Sequence, residues 1–373
     1  MDELSRANLE QAISEGGSGN ADIVGDLEAS FAALTGARFA LCTASGTAAL
    51  ISALWAAGVR PGDAVAVSAL GPAMTGLAVT AIGARPVFLD TGDPSSFGIH
   101  PNAAQHSLVH APKAAVLVPM WGYWDEQPAT LDAFRSHHIP IIIDAAQAPF
   151  LRLDGGLHDV ADVVCLSLHG RKPFKAGEGG VCLTNHPLLA DRILQLRNFG
   201  QQASWNGRRL TPIGAFAAGF GVNFKINALG AAWCLTQTRQ PDRVRDRLAR
   251  LRVLATDTLN ATGVAWTEAT QSPTVLEHGR YGIVAICANE HNAKHLATAI
   301  DDCGVAVDTS RYQYRPMYHA PHLSRHACPC PTAEQLTRRA VACRLEAFTA
   351  LLETAEPTAT YAVSTDASER AQL

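Results

Sequence analysis

Lysine is scarce in this chain of 373 residues and occurs only at positions 113, 172, 175, 225 and 294. Charged residues of all kinds make up 17% of the chain, and the net charge at pH 7 is −4. A chain of this kind offers no basic surface for nucleic-acid phosphates, so we exclude a nucleic-acid-binding protein. Arginine supplies most of the positive charge, and each lysine is therefore a distinct candidate for chemistry.

Long hydrophobic runs are also missing. The longest ones, such as residues 114–120, are far shorter than the roughly 20 apolar residues of a membrane helix. Residues 1–16 alternate charged with apolar side chains and lack the continuous apolar stretch of a secretion signal. We therefore predict a chain that neither enters a membrane nor is exported.

The nine cysteines do not form a recognisable disulfide or metal pattern. Their number is odd, and most of them lie inside apolar segments, which is typical of buried free thiols in the cytoplasm. Cys328 and Cys330 are the only closely spaced pair, and no second pair follows at the spacing of a zinc site. We predict a cytoplasmic protein without a metal centre.

Segments typical of strands and helices alternate between residues 38 and 196. This alternation predicts an α/β fold whose large domain has a mostly parallel, seven-stranded sheet flanked by helices. The expected strands are residues 38–42, 64–68, 86–89, 114–118, 139–143, 163–167 and 180–184. We expect a large domain at 1–250, a smaller α+β domain at 251–356 and a mobile tail at 357–373, where the composition turns to Pro, Thr, Ala and Ser.

The C-terminal third contains fewer and longer segments. Apolar residues spaced three and four apart predict one long helix over 227–254. Beyond it we expect a strand at 282–287, a helix at 290–303, a strand at 304–308 and a last helix at 332–354.

Ser45-Gly46-Thr47 lies between a predicted strand and a helix at 46–57. The N-terminus of a helix offers unpaired N–H groups and positive dipole charge, which suit a dianionic phosphate. Gly46 allows close approach of the backbone, and Thr47 adds a hydroxyl group. An ordinary Ser/Thr helix cap is the alternative.

Asp144 and Gln147 follow the apolar strand at 139–143. An acid at the carboxyl end of a buried strand lies where open α/β sheets bind ligands. A buried carboxylate needs a cationic partner, and a protonated pyridine nitrogen is one. Gln147 is then placed to donate to a ring oxygen. The alternative for Asp144 is a structural acid that caps the next turn.

Lys172 and Lys175 follow the strand at 163–167, which ends at Ser167. A lysine in an apolar, glycine-bordered turn can be partly desolvated and become a nucleophilic amine. Either lysine fits this description, and an ordinary surface lysine is the alternative for both.

Together, in order and spacing, these segments resemble the DegT/StrS family of pyridoxal-phosphate-dependent sugar aminotransferases of fold type I. The family's motifs occur here as Ser45-Gly46-Thr47, Asp144-Ala145-Ala146-Gln147, Ser167-Leu168-His169-Gly170-Arg171-Lys172 and Gly177-Glu178-Gly179-Gly180. Arg197-Asn198-Phe199-Gly200 and Gly221-Val222-Asn223-Phe224-Lys225 extend the resemblance. Lys172, and not Lys175, lies at the family's distance before the Gly-Glu-Gly-Gly turn.

The resemblance implies a pyridoxal 5′-phosphate cofactor bound to Lys172 as a Schiff base. It implies that Asp144 pairs with the ring nitrogen, that Gln147 contacts the ring's hydroxyl side, and that Gly46, Thr47 and Ser167 bind the phosphate. It also implies a homodimer with shared active sites, in which Asn223 reaches the cofactor of the neighbouring subunit.

The chain departs from the family pattern at three places in the substrate pocket. The aromatic residue that usually packs on the pyridine ring is missing, so Leu70 or Pro72 is expected to pack there. Tyr318 replaces a histidine, and Ala342-Cys343-Arg344-Leu345 replaces a Leu-Pro segment. A polar and aromatic cluster of Arg311, Tyr312, Tyr314 and Arg315 either faces the pocket or forms a surface loop. Residues 16–19 either contribute to the substrate entrance or form a flexible loop.

We therefore predict an aminotransferase that moves an amino group from glutamate or glutamine to a keto-sugar, a cyclitol or a related specialised-metabolism intermediate. An enzyme for elimination, replacement or carbon–carbon bond formation on an amino acid would use the same cofactor. A regulatory relative that holds the cofactor without turnover is the third hypothesis.

Overall fold

The computed structural model describes residues 3–154, 156–205, 210–216, 220–277 and 280–355. The strands in these ranges are β1 (Phe39–Thr43), β2 (Ala64–Ser68), β3 (Arg85–Leu89), β4 (Ala114–Leu117), β5 (Ile141–Asp144), β6 (Arg152–Leu153), β7 (Val163–Ser167), β8 (Gly180–Thr184), β9 (Gln201–Trp205), β10 (Leu210–Phe216), β11 (Trp266–Glu268), β12 (Val275–Glu277), β13 (Gly282–Cys287) and β14 (Ala340–Arg344). The tail predicted at 357–373 lies outside the described residues.

The α-helices alternate with these strands along the first half of the chain. They are α1 (Glu3–Ser14), α2 (Asp22–Thr35), α3 (Gly46–Ala56), α4 (Ala73–Ala81), α5 (Pro101–Ser107), α6 (Pro128–Arg135), α7 (Leu157–Val160), α8 (Pro187–Arg197), α9 (Ala228–Thr238), α10 (Pro241–Ala261), α11 (Glu290–Asp302), α12 (Asp308–Arg311), α13 (Pro331–Arg339) and α14 (Thr349–Ala355). None of the described helices is long and apolar enough to cross a lipid bilayer.

The central sheet has seven strands in the order β1-β8-β7-β5-β4-β2-β3. All of them are parallel except β8, which runs antiparallel to both β1 and β7. Every residue of β4 and β5 is buried, as expected for central strands covered by helices on both faces. The predicted α/β class and the mostly parallel seven-stranded sheet are therefore confirmed.

A second, antiparallel sheet lies in the C-terminal third, with the strand order β11-β13-β14. The helices α10 and α11 pack against it. The division of the chain into domains at residue 250 stays a prediction, and α10 runs across that position.

The helix predicted over 227–254 is wrong as a single element. The chain forms α9 and α10 instead, with Gln240 outside helical geometry between them. Pro241 is the reason, because it lacks an N–H donor and disfavours helical geometry in the residue before it. It starts α10 at the position where proline is tolerated.

Two further predictions in the C-terminal third are wrong. Residues 304–308 do not form a strand, since Asp308 begins the short helix α12. The helix predicted at 332–354 is divided among α13, β14, a 3₁₀ turn and α14. Residues 340–344 are extended because they pair with β13, and this tertiary contact outweighs the local helical pattern.

The fold brings three chain segments together at one edge of the central sheet. Strands β5 and β7 are parallel neighbours and end at Asp144 and Ser167. Strand β1 runs in the same direction and leads into the N-terminus of α3 at Gly46. The carboxyl ends of parallel strands form the usual ligand site of an open α/β sheet.

Candidate active site

Lys172 lies in a closed loop between β7 and β8. Backbone hydrogen bonds tie the two sides of this loop together, from Leu168 N to Gly179 O at 2.8 Å and from Gly170 N to Gly177 O at 2.8 Å. The Lys172 N–H donates to His169 O at 2.8 Å, which fixes the turn that carries the lysine. The side chain is therefore presented from a rigid loop.

The Lys172 amine lies over the ring of Tyr281, with Nζ 4.4 Å from the ring centroid. Burial is the main reason that the pKa of this amine falls to about 8. The Asp144 and Asp308 carboxylates oppose this fall in pKa, and the Arg344 guanidinium adds to it. An amine with this pKa is partly neutral near pH 7, as a nucleophile requires.

Lys175, the competing lysine, has a different environment. Its Nζ lies 3.7 Å from Glu346 Oε1, and its backbone N–H donates to the Gln237 side chain at 3.0 Å. The structure thus places Lys172 beside Asp144 and pairs Lys175 with an acid elsewhere.

Asp144 is 3% exposed at the end of β5. Its Oδ2 accepts a 2.6 Å hydrogen bond from the Thr75 hydroxyl, and its Oδ1 accepts from Ala146 N at 3.2 Å. Burial raises the pKa of this carboxyl, whereas these two hydrogen bonds and Lys172 act in the opposite direction. A cation bound next to it would keep the carboxylate ionised.

Gln147 is half-buried near the start of the loop that follows β5. Its Oε1 accepts a 2.6 Å hydrogen bond from Trp121 N, so its amide nitrogen is left to donate elsewhere. Trp121 has a left-handed backbone with φ of 52°, a costly conformation for this residue type. Its carbonyl accepts from Tyr281 N at 3.0 Å, which links Gln147 to the residue under the Lys172 amine.

Gly46, Ser167 and Gly180 form a close-packed turn. A Cβ atom at Gly46 would lie 2.9 Å from Ser167 Cβ, and one at Gly180 would lie 2.3 Å from Ser45 O. Neither distance is possible for a real side chain, so both positions require glycine.

The N-terminus of α3 opens into this turn. The Ser45 hydroxyl caps the helix by accepting from Ala48 N at 3.0 Å. Within the described residues, the N–H groups of Gly46 and Thr47 make no hydrogen bond. Both the cap and the phosphate site predicted from the sequence are thus compatible with the structure, since the cap uses a different N–H group.

Asn223 lies on a segment that runs beside the turn before α3, because Phe224 O accepts a 2.7 Å hydrogen bond from Ala44 N. Its side chain is exposed, and its Oδ1 accepts a 2.6 Å hydrogen bond from Lys225 Nζ. Lys225 Nζ also lies 4.0 Å from the centroid of the exposed Phe199 ring.

The segments that depart from the family pattern have different environments. Leu70 is fully buried in the core, and Pro72 precedes α4; ring packing by either stays a prediction. Tyr318 is also buried and donates to Glu334 Oε1 at 2.8 Å, so it packs between β3 and α13.

The cluster predicted at 311–315 is divided by the fold. Arg311 and Arg315 are exposed. Tyr312 accepts a 2.6 Å hydrogen bond from Arg171 Nη1, and Tyr314 packs edge-on against Trp121 at 4.7 Å between ring centroids. Tyr312 therefore contacts the residue before Lys172, and Tyr314 contacts the residue whose N–H binds Gln147.

The loop at 16–19 is more constrained than plain flexibility implies. A Cβ atom at Gly19 would lie 2.5 Å from Lys225 Cβ, so this glycine is required by close packing. Its place near the substrate entrance stays a prediction.

Four residues of the site belong to no motif that the sequence analysis found. Thr75 lies in α4, Tyr281 directly precedes β13, Asp308 begins α12 and Arg344 ends β14. Single polar residues in distant segments carry no spacing signal, and only the fold shows that they surround Lys172 and Asp144.

These residues fit pyridoxal phosphate. The buried Asp144 carboxylate suits a protonated pyridine nitrogen, the glycine-lined turn at Gly46 suits a phosphate, and the Lys172 amine suits an aldehyde. No group of three or more His, Cys, Asp or Glu side chains placed to hold a metal ion occurs among the described residues.

Comparisons with known proteins agree with this geometry. The family model for the DegT/DnrJ/EryC1/StrS aminotransferase family matches residues 1–351. MosB of Rhizobium meliloti is 30% identical over 264 residues, which are 70% of this chain and 49% of that protein. The GDP-perosamine synthase of Caulobacter vibrioides is 30% identical over 308 residues, 80% of this chain and 76% of that enzyme. The chain thus spans about half of one relative and three quarters of the other.

Solved structures share the fold at lower identity. 3-Amino-5-hydroxybenzoic acid synthase aligns with a TM-score of 0.79 at 21% identity, over 92% of this chain and 91% of that one. The aminotransferase TlmJ from Streptoalloteichus hindustanus aligns with a TM-score of 0.76 at 21% identity, over 95% and 96%. The predicted fold type I is confirmed, and this chain belongs to the DegT/DnrJ/EryC1/StrS aminotransferase family.

Proposed function

We propose that the protein is a pyridoxal-phosphate-dependent aminotransferase that moves an amino group from glutamate or glutamine to a keto-sugar, a cyclitol or a related intermediate. One observation carries the proposal: the buried amine of Lys172, whose pKa is about 8, and the buried carboxylate of Asp144 lie at one edge of the sheet beside the Gly46 turn. When bound, the cofactor supplies an electron-withdrawing ring that weakens bonds to the substrate carbon.

The side chains of this chain would bind, orient and move protons. Lys172 Nζ would bind the cofactor's aldehyde carbon and, once released, carry a proton to and from the substrate carbon. Asp144 would hold positive charge at the ring nitrogen, with Thr75 and Ala146 N–H fixing its orientation. The amide nitrogen of Gln147 would donate to the ring oxygen, because Trp121 N already occupies its Oε1.

The phosphate would bind at the Gly46 turn. The N–H groups of Gly46 and Thr47, together with the Thr47 and Ser167 hydroxyls, offer donors at a helix N-terminus. The similarity to GDP-perosamine synthase supports an amino-sugar product. 3-Amino-5-hydroxybenzoic acid synthase, which shares the fold, is named for an amino-substituted benzoic acid.

The active unit in this proposal is a homodimer with shared sites. Asn223 is exposed on a surface that also carries the exposed rings of Phe199 and Phe220, which are 48% and 51% accessible. Exposed aromatic rings next to polar groups are typical of interaction surfaces. A second copy covering this surface would bring Asn223 to its neighbour's phosphate site.

A cytoplasmic location is part of the same proposal. All nine cysteines are free, and all except Cys303 and Cys328 are buried. Buried thiols of this kind persist in a reducing compartment.

The proposal is tested by the absorption spectrum of the purified protein with pyridoxal phosphate, before and after addition of L-glutamate or L-glutamine. We expect a yellow band that either donor converts to the pyridoxamine phosphate spectrum. Lys172→Ala should lose the band, whereas the matched control Lys175→Ala should keep it.

A band that survives every common amino donor would contradict the aminotransferase. Product analysis would then distinguish the elimination or carbon–carbon bond-forming alternative, because its product retains the amino nitrogen on a changed carbon skeleton.

A further inference from the structure

We propose that Trp121 is a positioning residue for the cofactor ring. Its indole holds the loop after β4 (residues 118–127) in a left-handed turn, and this turn keeps the side-chain amide nitrogen of Gln147 facing the cofactor. The inference rests on the proposed aminotransferase function, in which Gln147 donates to the ring oxygen, and it names the residue that orients this donor.

The backbone of Gln147 is fixed, but its side chain needs a further restraint. Ala146 N donates to Asp144 Oδ1 at 3.2 Å and Ala148 N donates to Ala145 O at 2.9 Å, so the chain is tied on both sides of Gln147. A glutamine side chain still rotates about several bonds, and its amide can present either the oxygen or the nitrogen to a neighbour. A donor beside the cofactor therefore requires a partner that selects one of these two orientations.

Trp121 makes this selection through its backbone. Its N–H donates to Gln147 Oε1 at 2.6 Å. A backbone N–H can only donate, so it binds the amide oxygen and leaves the nitrogen on the opposite side. The Trp121 carbonyl accepts from Tyr281 N at 3.0 Å, and the Tyr281 ring lies under the Lys172 amine. One residue thus connects the Gln147 amide with the surroundings of Lys172.

The backbone conformation that allows both bonds is unfavourable for tryptophan. Trp121 has φ of 52° and ψ of 13°, and Gly122 follows with φ of 91°. Tyr123 N donates to Met120 O at 3.0 Å, as in a type I′ turn. Asparagine followed by glycine is the usual pair in such a turn, whereas a bulky side chain is strained at the first position. The turn therefore needs stabilisation from outside itself.

The ring of Trp121 supplies this stabilisation. It is buried and packs against the rings of Phe97 and Tyr314, with centroids 5.8 and 4.7 Å away. It also lies against Gly282, where a Cβ atom would be 2.6 Å from Trp121 Cδ1. These three neighbours come from separate segments of the chain. The indole is therefore fixed on several sides and holds its own backbone in the left-handed turn.

Two substitutions separate the turn from the ring. Trp121→Leu removes the indole and leaves a bulky side chain that disfavours positive φ. Trp121→Asn also removes the indole, but asparagine before Gly122 adopts the type I′ turn readily. Leucine should therefore release the Gln147 amide, and asparagine should keep it in place.

Trp124→Leu is the matched control for loss of an indole. Trp124 lies in the same loop and is as deeply buried as Trp121. Its carbonyl accepts from Ser272 N at 2.8 Å and from Gln271 Nε2 at 3.0 Å, so its hydrogen bonds do not reach Gln147. A general loss of packing should affect both leucine variants, whereas release of Gln147 should occur only in Trp121→Leu.

A pH titration of the absorption band of the cofactor-loaded protein measures the orientation of Gln147 without turnover. A donor at the ring oxygen stabilises its negative charge, so the bound cofactor holds its proton to higher pH when the donor is lost. The midpoint should rise by about half a pH unit or more in Trp121→Leu, the effect of one hydrogen bond of ordinary strength. It should stay at the wild-type value in Trp121→Asn and Trp124→Leu.

Gln147→Leu gives the reference for complete loss of the donor. Its midpoint should rise at least as far as that of Trp121→Leu, and the double variant Trp121→Leu/Gln147→Leu should show no further rise. This lack of additivity is expected if both residues act through the same amide, since independent effects would add.

Urea unfolding of the protein without cofactor tests the same contact by a double-mutant cycle. Trp121→Leu should raise the unfolding constant about fivefold less in the Gln147→Leu background than in the wild type, because the hydrogen bond is already absent there. Trp124→Leu should raise it equally in both backgrounds. If Trp121→Leu does not fold, Gly282→Ala replaces it in both experiments, because the added methyl group displaces the Trp121 ring.

Three outcomes would overturn the positioning role. They are an unchanged midpoint in Trp121→Leu, equal shifts in Trp121→Leu and Trp121→Asn, and an unchanged midpoint in Gln147→Leu. A wild-type protein that forms no absorption band with pyridoxal phosphate would contradict the proposed function instead. The double-mutant cycle would then still decide whether Trp121 holds the Gln147 amide.

Discussion

Gly46 sets how closely α3 approaches β7, because any Cβ atom at this position would overlap Ser167. This approach places the N–H groups at the start of α3 and the Ser167 hydroxyl at one turn. At the scale of single residues, the site therefore depends on a missing side chain as much as on the charged ones.

We predict that Gly46→Ala weakens binding of pyridoxal phosphate by about tenfold or more, since overpacking of this kind costs ~1–3 kcal/mol. The dissociation constant, measured from absorbance after dialysis, checks the prediction. Gly92→Ala is the control, because a Cβ atom there meets its nearest neighbour at 3.9 Å. Equal affinity of both variants would show that the Gly46 turn does not bind the phosphate.

The amine of Lys172 gives a second prediction at this scale. With a pKa of about 8, its neutral fraction rises about tenfold between pH 7 and 9, and so should the rate at which the apo protein takes up pyridoxal phosphate. Asp144→Asn removes a charge that raises this pKa, so the rise should occur at lower pH. Stopped-flow absorbance measures both profiles. A rate independent of pH, or an unshifted profile in the variant, would argue against the assigned amine.

The loop between Trp121 and α6 carries a buried acid that the chemistry does not use. Glu126 is 8% exposed, and its Oε2 accepts from Ile99 N at 3.1 Å. Burial raises its pKa from 4.5 to about 8. The folded protein therefore holds a proton that the unfolded chain releases above pH 4.5.

At the scale of this loop, we predict that Glu126 makes the free energy of unfolding fall as the pH rises from about 4.5 to 8. Its contribution is about 1.4 kcal/mol per pH unit, because only the unfolded state is ionised in this window. Glu126→Gln should remove this part of the slope and raise stability at pH 8. Urea denaturation at pH 6 and pH 8 measures it, with the exposed Asp132→Asn as control. The same slope in both variants would contradict the prediction.

At the scale of the whole molecule, the proposed role of the exposed surface around Asn223 can be tested only in a dimer. If two subunits share each site, the variants Lys172→Ala and Asn223→Ala are each defective in both sites of a homodimer. A mixed dimer has one site with both substitutions and one site with neither.

We predict that mixing the two inactive variants in equal amounts after subunit exchange restores activity to about a quarter of the wild-type value, because half of the dimers then carry one intact site. Conversion of the bound cofactor by L-glutamate measures the recovery, and each variant alone is the control. Sedimentation velocity checks that dimers form. No recovery from dimers that do exchange would place Asn223 outside its neighbour's site.

Much of this fold could be predicted from the sequence because its central strands are short apolar runs with clear borders. Strands β2, β7 and β8 begin and end where the pattern indicates. In the C-terminal third, the strand predicted at 282–287 and the helix predicted at 290–303 are present, but other predicted elements there are wrong. Residues 340–344 have a helical pattern but are extended by pairing with β13, and Pro241 interrupts a periodicity that continues on both sides of it.

The sequence by itself was enough to identify the candidate site residues that belong to short motifs of fixed spacing. Gly46, Asp144 and Lys172 lie in short motifs next to strand ends, and the chain there has little freedom. Only the tertiary structure decided what surrounds them. Thr75 and Tyr281 come from separate segments. Thr75 contacts Asp144 and Tyr281 contacts Lys172 because the sheet and the packing of the C-terminal third bring distant parts of the chain together.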